Sequence, residues 1–579
     1  MNSEADPIPM TRLLDVQDLT IALPPGADRA HALRNVSFSL DAGEILCMVG
    51  ESGSGKSMSA SALLGLLPDG VRAASGRALW EGGQDLIALP ESEMRRWRGR
   101  RIGMIFQEPM TALNPLRSIG DQIAEVFRTH TSLSGSVIRR KVWELLDAVQ
   151  IPLPAAAAKR LPHELSGGQR QRAMIAMALA LEPALLIADE PTTALDVTTQ
   201  AQILSLIREL QRRKGTAVLF ITHDFGVVAE IADRVAVMRH GEIVESGSAR
   251  EVLDRPRHPY TRSLIAAVPV LSLPVQEASP SDPPAQGRSA VLSMRGLTKT
   301  YRSRNWLRHA QGATTALRDV SLDLAAGETL GIVGESGSGK STLARTIMRL
   351  VAPDAGEALY GGVNLAGRLD GPRARKLALH LQMVFQDPFG SLNPRRRVGD
   401  IVTQGPIAQG VPRDEAYRRA RELFLLVGLD PDAIIRFPHE FSGGQRQRIG
   451  LARALALDPK VLVADEPVSA LDVSVQAQVL KLLGRLKAEL GLSMIFITHD
   501  LRVAAQLCDH VAVMKDGIVV EYGTRNRIFH APSHAYTRML IASVPGAHWD
   551  PAASVMRSDP PSPAPERHAT AARPASRQA

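Results

Sequence analysis

Cysteine is almost absent from this 579-residue chain, which contains only Cys47 and Cys508. The two residues lie far apart and belong to no CxxC or Cys/His pattern. A disulfide framework, a zinc site and an iron–sulfur site are therefore not predicted, because each needs paired or closely spaced ligands. Such sparse cysteine usage is typical of a protein in the reducing cytoplasm.

Long hydrophobic runs are absent as well. The N-terminal segment MNSEADPIPM has no basic region followed by an apolar core, and no apolar run approaches the roughly 18 residues that a membrane-spanning helix needs. The nearest candidate, residues 264–275, is short and is interrupted by Pro269 and Pro274. If the protein serves a membrane process, we expect a partner to supply the channel.

Aromatic residues are also few, at 4% of the chain, whereas the hydrophobic share of 45% and the charged share of 22% are those of ordinary globular proteins. The net charge of +8 is spread along the chain. A basic surface suits nucleic acid or an anionic membrane, but a solvated exterior is the simpler explanation, and we predict no nucleic-acid partner. The length exceeds a single hydrophobic core, so we expect two large domains.

Four sequence blocks occur twice, in the same order and at nearly the same spacing. The blocks are GESGSGKS at residues 50–57 and 334–341, SGGQRQR at 166–172 and 442–448, ADEP at 188–191 and 464–467, and ITHD at 221–224 and 497–500. Self-similarity of this kind predicts a tandem repeat of one domain.

The boundaries of the repeat follow from composition. The segment SLPVQEASPSDPPAQGRSA is rich in Pro and Ser and has no apolar periodicity, which is typical of a linker. The end of the chain contains almost no large apolar residues, so we expect disorder there. The predicted division is a first domain at 12–270, a linker at 271–290, a second domain at 291–546 and a disordered tail at 547–579.

Each copy alternates short apolar runs with helix-like segments. The runs EILCMVG and ETLGIVG lead into the Gly-rich loops, and ALLIADE, VLVADE, TAVLFITHD and SMIFITHD follow later. Short β-branched runs of this kind are typical of parallel strands covered by helices on both faces. The predicted fold class is α/β.

The first repeated block matches the pattern G-x-x-x-x-G-K-[ST], called a P-loop. Its glycines let successive backbone N–H groups converge on phosphate oxygens, and the helix that follows points its positive end at the same anion. We expect Lys56 and Lys340 to reach the β- and γ-phosphates of ATP, and the hydroxyls of Ser57 and Ser341 to ligate Mg²⁺. The predicted ATP-binding loop residues are Gly50, Glu51, Ser52, Gly53, Ser54, Gly55, Lys56, Ser57 and Met58, with Gly334, Glu335, Ser336, Gly337, Ser338, Gly339, Lys340, Ser341 and Thr342.

An acidic pair ends the ADE run of each copy. We predict that Asp189 and Asp465 contact Mg²⁺ at the ends of their strands. Glu190 and Glu466, which follow, are predicted to act as general bases that orient and deprotonate the attacking water. The recurrence of the pair at a constant distance from the P-loop favours this function over simple capping of a strand end.

The second block resembles the signature motif of ABC ATPases. Its residues are Ser166, Gly167, Gly168 and Gln169 in the first copy and Ser442, Gly443, Gly444 and Gln445 in the second. The resemblance implies two tandem ABC ATPase domains, each a RecA-like α/β core with a helical subdomain. It also implies two composite sites, in which Ser442 serves the ATP held by Lys56 and Ser166 serves the ATP held by Lys340. Joining both halves in one chain favours intramolecular pairing by raising their effective concentration.

Further residues match the same family. Gln107 and Gln386 resemble the Q-loop glutamine, which the family uses to sense Mg²⁺ and the attacking water, while its loop contacts the membrane partner. His223 and His499 resemble the switch histidine, which holds the γ-phosphate. The D-loop aspartates correspond to Asp196 and Asp472.

The regions outside these motifs narrow the resemblance. LNP after each Q-loop and the endings RHPYTRSLIAAVP and SHAYTRMLIASVP resemble the oligopeptide/dipeptide importer subfamily in its fused form, which includes peptide, nickel and glutathione importers. The resemblance implies an ATP-hydrolysing subunit on the cytoplasmic face of the bacterial inner membrane. Two permeases and, through them, a periplasmic binding protein are the implied partners, and peptides or peptide-like compounds are the implied solutes. Some members carry a C-terminal cysteine cluster, which this chain lacks.

Two positions depart from the family pattern. Tyr301 occupies the place of the aromatic residue that stacks on adenine, but Leu23 stands at the matching position of the first copy. Met58 replaces the second hydroxyl residue, present as Thr342 in the other copy. Unless His31 substitutes for the missing ring, we expect the first site to bind ATP more weakly, by about two- to tenfold.

Two other classes of ABC ATPase fit this sequence less well. A tandem ABC ATPase acting on the ribosome would explain the fusion and the basic charge, but such factors carry a long charged helical arm between their domains, whereas this linker is short and Pro-rich. A DNA-repair ABC ATPase would have zinc-type cysteine clusters and long coiled-coil insertions, which this sequence lacks. The transport function is therefore favoured.

Overall fold

The structure is a computed structural model that describes residues 11–107, 112–192, 195–271, 290–302, 313–367, 369–469, 471–551 and 553–554. We call residues 11–271 the first half and residues 290–554 the second half. Most of the predicted linker and the end of the predicted tail lie outside the described residues.

Nine strands lie in the described residues of the first half. They are β1 (Arg12–Ala22), β2 (His31–Asp41), β3 (Ile45–Val49), β4 (Arg72–Trp80), β5 (Ile102–Ile105), β6 (Leu185–Asp189), β7 (Ala217–Thr222), β8 (Arg234–Arg239) and β9 (Glu242–Ser248). Its helices are α1 (Lys56–Leu63), α2 (Glu91–Trp97), α3 (Ile119–His130), α4 (Gly135–Ala148), α5 (Pro154–Ala157), α6 (Gly167–Ala178), α7 (Val197–Lys214), α8 (Phe225–Ile231), α9 (Ala249–Asp254) and α10 (Pro259–Ala266), with a 3₁₀ turn at Pro162–Glu164.

The second half repeats this order. Its strands are β10 (Ala290–Arg302), β11 (Ala313–Ala325), β12 (Thr329–Val333), β13 (Ala355–Tyr360), β14 (Val363–Asn364), β15 (Leu381–Val384), β16 (Val461–Asp465), β17 (Ser493–Thr498), β18 (His510–Lys515) and β19 (Ile518–Thr524). Its helices are α11 (Lys340–Ile347), α12 (Gly371–His380), α13 (Pro388–Ser391), α14 (Val398–Ala408), α15 (Arg413–Leu426), α16 (Gly443–Leu455), α17 (Val473–Leu490), α18 (Leu501–Leu507), α19 (Arg525–His530) and α20 (Ala535–Ala542), with 3₁₀ turns at Pro431–Ile435 and Pro438–Glu440.

Each half is built on a six-stranded sheet. The strand order is β5-β6-β7-β3-β8-β9 in the first half and β15-β16-β17-β12-β18-β19 in the second. All neighbours are parallel except the last pair of each sheet. A smaller antiparallel sheet, β2-β1-β4 or β11-β10-β13-β14, accompanies each large one. The prediction of an α/β fold with parallel strands is confirmed.

The central strands are buried on both faces, which explains why their sequences are continuously apolar. On β3, Ile45 and Cys47 point into the core shared with the helices, whereas Leu46 and Met48 point into the core under the antiparallel sheet. This alternation follows from the two-residue period of a strand. It brings the carboxyl ends of β3, β6 and β7 together at one edge, where the repeated polar blocks begin.

A group of helices separates β5 from β6 in the chain. Ile123 of α3 and Ile138 of α4 share a buried core with Met174 and Ile175 of α6. In the second half, Val402, Phe424 and Ile449 of α14, α15 and α16 do the same. This group corresponds to the predicted helical subdomain, and its last helix carries the SGGQ block.

A volume exchange distinguishes the two halves. Cys47 on β3 corresponds in the repeat to Gly331 on β12, and Ala232 corresponds to Cys508. A Cβ atom built on Gly331 would lie 2.6 Å from the Cys508 sulfur. Both thiols are fully enclosed. Each half thus places one cysteine in the same region of its core. Cys47 lies on strand β3, whereas Cys508 lies at the end of helix α18.

The ends of the two halves cross over. Leu271, the start of the predicted linker, packs against the core of the second half, and Trp549 packs against that of the first. Val197 and Val473 are exchanged in the same way, each joining the buried core of the other half. The described chain therefore continues beyond residue 546, where the predicted tail begins. Trp549 in this segment packs against the opposite half.

Candidate ATP-binding and hydrolysis sites

The P-loops lie between strand and helix, as the sequence predicts. Gly50 follows β3 with φ 153°, and Gly55 precedes α1 with φ 107°. A Cβ atom would lie 2.2 Å from the Met238 carbonyl oxygen at Gly50 and 2.6 Å from Leu33 Cδ2 at Gly55. At Gly334 and Gly339, a Cβ atom would lie 2.2 Å and 2.3 Å from backbone carbonyl oxygens. Only glycine fits these positions, for both conformational and steric reasons.

The middle of each loop is open. A Cβ atom built on Gly53 or Gly337 would meet no other atom within 4 Å, although both residues have positive φ angles of 77° and 83°. Both glycines are exposed, so the middle of each loop leaves its backbone accessible beside the N-terminus of the next helix. This arrangement fits a phosphate chain, because backbone N–H groups and the helix dipole both favour an anion there.

The P-loop lysines lie inside the curve. Lys56 Nζ donates to the carbonyl oxygens of Gly50 at 2.7 Å and Glu51 at 2.9 Å. Lys340 Nζ makes the same bonds to Gly334 at 2.7 Å and Glu335 at 2.8 Å. Burial lowers the pKa of both amines, and neighbouring carboxylates oppose that shift.

A hydroxyl and a carboxylate meet at the start of each P-loop helix. Ser57 Oγ donates to Asp189 Oδ1 at 3.0 Å, and Ser341 Oγ donates to Asp465 Oδ1 at 3.2 Å. Burial raises the pKa of Asp189 to about 6 and also raises the pKa of Asp465. Oxygen ligands of this kind suit Mg²⁺, whose binding would compensate the cost of burying the charge.

Glu190 and Glu466 follow those aspartates in the left-handed region, with φ values of 47° and 46°. Gln107 Nε2 donates to Glu190 Oε2 at 3.0 Å, and Gln386 Nε2 donates to Glu466 Oε2 at 2.9 Å. A positive φ is unfavourable for a residue with a Cβ atom and is often found at functional sites. Here it directs both carboxylates toward the Q-loop glutamine.

The switch histidines complete the same cluster. His223 Nδ1 lies 3.2 Å from Glu190 Oε1, and His499 Nδ1 lies 3.2 Å from Glu466 Oε2. Burial alone would lower the pKa of each histidine, but the bond to glutamate outweighs it and the pKa is raised. For Glu466, burial would raise the pKa, but His499 outweighs it and the pKa is lowered. The second pair therefore favours a charged histidine beside an ionised glutamate.

The signature segments cap their helices. Ser166 Oγ accepts from the Gln169 N–H at 3.3 Å, and the Gln169 side chain accepts from the Ser166 N–H at 3.3 Å. Ser442 and Gln445 form the same reciprocal pair. The second glycine allows close packing on α7 or α17, since a Cβ atom would lie 3.2 Å from Thr199 Cγ2 at Gly168 and 2.4 Å from Val475 Cγ1 at Gly444.

The contacts between the halves at the P-loops come from the segments 196–199 and 472–475, which we call the D-loop segments. The Ser52 N–H and hydroxyl both donate to Asp472 Oδ1, at 3.0 Å and 2.9 Å. Ser474 bonds to the carboxylate of Glu51. At the second P-loop, Thr198 bonds to the carboxylate of Glu335.

The two D-loop aspartates differ in what they bind. Asp196 accepts from the Thr199 N–H at 2.9 Å and so caps its own helix, whereas Asp472 binds Ser52 of the opposite half. The two ATP sites are therefore not identical at this point.

The adenine side also differs between the halves. Tyr301 is 42% exposed at the end of β10. Leu23 instead packs, together with Met58, against the core under the antiparallel sheet. His31 is exposed at the start of β2, and Arg29 Nη2 donates to the Gly53 carbonyl oxygen at 2.7 Å. Arg29 therefore contacts the P-loop from the segment that follows Leu23.

Three further residues near the sites were not predicted from the sequence. Tyr260 and Tyr536, in the H-x-Y-T-R endings, bond to the P-loop residues Glu51 and Glu335. Arg502 crosses to the first half. The recurrence of Tyr in both endings was a usable signal, and so was the mismatch of Arg502 with Gly226 in the repeat.

Comparisons with known proteins show which family the chain matches. The family described as "ABC transporter" matches residues 33–193 and 317–469, and the family described as "Oligopeptide/dipeptide transporter, C-terminal region" matches residues 244–304 and 520–568. The glutathione import ATP-binding protein GsiA of Escherichia coli K12 is 45% identical over 94% of this chain and 91% of its own length. The protein of the same name from Escherichia coli O6:H1 is 46% identical over 92% and 90%.

Among solved structures, a dimeric ATP-binding cassette in a post-hydrolysis state with ADP and Pi is 30% identical, with a TM-score of 0.36 over 40% of this chain and 98% of its own. Across the described residues, no helix combines the length and hydropathy needed to cross a bilayer.

Proposed function

The chain belongs to the ABC transporter family as the ATP-hydrolysing subunit of an importer, and on this premise we propose that both of its sites hydrolyse ATP to drive uptake of peptides or peptide-like solutes such as glutathione. The observation that supports two working sites is the duplicated cluster of glutamate, glutamine and histidine. Its distances agree within 0.1 Å between the halves, at 3.0 and 3.2 Å around Glu190 and 2.9 and 3.2 Å around Glu466.

Each residue has a role in this proposal. Lys56 and Lys340 leave their carbonyl partners to bind the β- and γ-phosphates, and the loop N–H groups hold the rest of the phosphate chain. Glu190 and Glu466 accept the proton of the attacking water. Before that step, His223 and His499 exchange their glutamate for the γ-phosphate, which frees the carboxylate to accept the proton.

Mg²⁺ is part of the proposal. Its ligands would be Ser57, Gln107 and Asp189 in the first half and Ser341, Gln386 and Asp465 in the second. The serine and aspartate oxygens meet at the start of the P-loop helix. Each glutamine is held nearby by its bond to the glutamate that follows the aspartate. When bound, the ion neutralises charge on the phosphate oxygens.

The sites are proposed to be composite. The D-loop contacts to Glu51 and Glu335 support pairing of the two halves within one chain. In the ATP-bound state, Ser442 with Gly443, Gly444 and Gln445 would close over the ATP at Lys56. Ser166 with Gly167, Gly168 and Gln169 would close over the ATP at Lys340, each through a helix N-terminus.

The similarity to import ATP-binding proteins supports a proposal for the partners and location of this chain. An import ATP-binding subunit acts with membrane permeases, and we propose two permeases and a periplasmic solute-binding protein, with this chain on the cytoplasmic face of the inner membrane. The predicted division into 12–270, 271–290, 291–546 and 547–579 remains part of this proposal, and most of its last segment lies outside the described residues. The ribosomal alternative is not supported, because it leaves the transporter C-terminal match unexplained.

The test is a pull-down of the tagged full chain from detergent-solubilised membranes, followed by ATPase assay of the complex. Recovery of two multi-span permeases and hydrolysis stimulated by glutathione-loaded binding protein would support the proposal. Recovery of ribosomal proteins without a permease would contradict the transport function and leave the ATPase intact.

A further inference from the structure

The H-x-Y-T-R endings adopt the same local structure in both halves. His258 Nδ1 accepts from the Tyr260 N–H at 3.2 Å, and His534 Nδ1 accepts from the Tyr536 N–H at 3.1 Å. Glu245 in turn accepts from the His258 N–H, at 3.1 Å. Each histidine therefore caps the helix, α10 or α20, and fixes the direction in which the tyrosine leaves it.

Each tyrosine reaches the P-loop of its own half. Tyr260 Oη accepts from the Glu51 N–H at 3.2 Å and donates to Glu51 Oε2 at 3.1 Å. Tyr536 Oη accepts from the Glu335 N–H at 3.4 Å. Both residues are at most 8% exposed. The hydroxyl is thus the one polar end of an otherwise enclosed ring, and it meets the P-loop backbone in both copies.

Basic residues cover the two rings. The Arg239 guanidinium lies 4.8 Å from the centre of the Tyr260 ring, and Lys515 Nζ lies 4.8 Å from that of Tyr536. Burial raises the pKa of Tyr260 to about 12 and also raises the pKa of Tyr536, so both hydroxyls keep their proton at neutral pH. Tyr260 can therefore donate to a carboxylate.

The carboxylates of Glu51 and Glu335 continue the chain of bonds across the interface. Ser474 bonds to Glu51, and Thr198 bonds to Glu335, each from the D-loop segment of the opposite half. The C-terminal ending of one half, its P-loop glutamate and the D-loop hydroxyl of the other half form one continuous path. We call this path the tyrosine relay.

We propose that Tyr260 and Tyr536 are positioning residues that hold Glu51 and Glu335 ready for the D-loop of the opposite half, and so couple the two ATP sites. An unrestrained glutamate side chain would lose rotamer freedom each time the two halves close on ATP. The hydrogen bond from the tyrosine keeps the glutamate preorganised, which avoids that cost. The inference rests on the proposed function, because it assumes ATP at the two P-loops.

The first experiment measures ATP hydrolysis by the purified full chain carrying Tyr260→Phe, which removes the hydroxyl and retains the ring. We expect kcat to fall about tenfold, the loss expected for a hydrogen bond to a charged group. The Hill coefficient for ATP should fall toward one, while the melting temperature stays near that of the wild type. A ring that acts only in packing would leave kcat and cooperativity unchanged, which would overturn the inference.

Ser263→Ala is the matched control. Ser263 lies on the same helix as Tyr260 and donates only to the carbonyl oxygen of that residue at 2.7 Å among the bonds described for it. Its loss should leave hydrolysis at the wild-type level. If the wild type itself does not hydrolyse ATP, the proposed function fails; if it does and Tyr260→Phe matches it, only the relay fails.

A double-mutant cycle across the halves gives the second test, and it does not depend on Tyr260→Phe alone. Ser474→Ala removes the hydroxyl from the other end of the same relay. We expect the double variant with Tyr260→Phe to be no slower than the slower single variant, because both changes break one path. Tyr260→Phe with Thr198→Ala, which belongs to the other relay, should instead show independent losses. Independent losses in both pairs would overturn the proposal.

Discussion

Arg502 of the second half binds Asp224 of the first half, with Nη2 and Nη1 at 2.9 Å and 3.2 Å from the two carboxylate oxygens. Asp224 follows the switch histidine of one site, and Arg502 lies three residues after the switch histidine of the other. Gly226 occupies the position in the first half that corresponds to Arg502, and a Cβ atom there would lie 2.4 Å from Arg502 Nη1. The glycine therefore makes room for an ion pair that only one half can supply.

This ion pair is enclosed. The side chains of Arg502 and Asp224 are 13% and 21% exposed. Burial alone would raise the pKa of Asp224, but the charge and hydrogen bonds of Arg502 outweigh it and the pKa is lowered. Removing one partner would leave an uncompensated charge at the interface, which is the costly case for a buried pair.

We therefore predict that Arg502→Ala lowers the free energy of unfolding by about 3–5 kcal/mol. Chemical denaturation of the full chain, followed by tryptophan fluorescence, measures this change. Arg250→Ala serves as the control, because the Arg250 side chain is 93% exposed and lies 4.0 Å from Asp254. That control should cost at most about 1 kcal/mol. Equal effects of the two variants would contradict a stabilising role for Arg502.

The cysteine and glycine exchange predicts a compensating pair of substitutions. Gly331→Cys alone should cost about 1–3 kcal/mol through overpacking, because its Cβ would lie 2.6 Å from the Cys508 sulfur. Adding Cys508→Ala restores the combination that the first half has at Cys47 and Ala232, and most of the loss should be recovered. Thermal unfolding of the wild type and of both variants measures the effect. A double variant less stable than Gly331→Cys would show that the two halves do not pack alike here.

The two sites should bind ATP with different affinities. Tyr301 is exposed for stacking, whereas Leu23 is packed on its own core. Titration of Lys56→Ala, which leaves the second site, should give a dissociation constant about two- to tenfold lower than titration of Lys340→Ala. Tyr301→Leu should remove the difference. Equal dissociation constants in the two lysine variants would refute the prediction.

Both sites should nevertheless hydrolyse ATP, because Glu190 and Glu466 have the same backbone conformation and the same partners. Glu190→Gln and Glu466→Gln should each reduce turnover, and the double variant should lose about 10²- to 10⁴-fold. Phosphate release by the full chain measures this. Glu489→Gln, an exposed residue on α17, is the control. If Glu190→Gln abolished hydrolysis while Glu466→Gln left it unchanged, only one site would be active.

Local patterns in the sequence were sufficient for much of the fold and of each site taken singly. The P-loop glycines, the strand ends at Asp189 and Asp465 and the helices after each SGGQ block appear where the patterns predict them. These features depend on neighbours within a few residues, through backbone conformation and side-chain alternation.

Other features were not accessible from local patterns. The sequence assigned Glu51 to ATP binding as part of its loop, but its carboxylate contacts Tyr260 and Ser474, which lie far away in the chain. Trp549 lies in the segment that the sequence predicted to be a disordered tail, and it packs against the first half. In both cases the partner surface is formed only when the two halves come together.

The tandem repeat, the α/β fold, the family and the candidate residues of each ATP site could all be predicted from the sequence. The tertiary structure decided which residues of one half meet the other, including the tyrosine relay and the asymmetric Arg502–Asp224 pair. The physical reason is the range of the interactions. Glycine conformations and strand periodicity act within a segment, whereas contacts between the halves depend on the packing of surfaces that are distant in the chain.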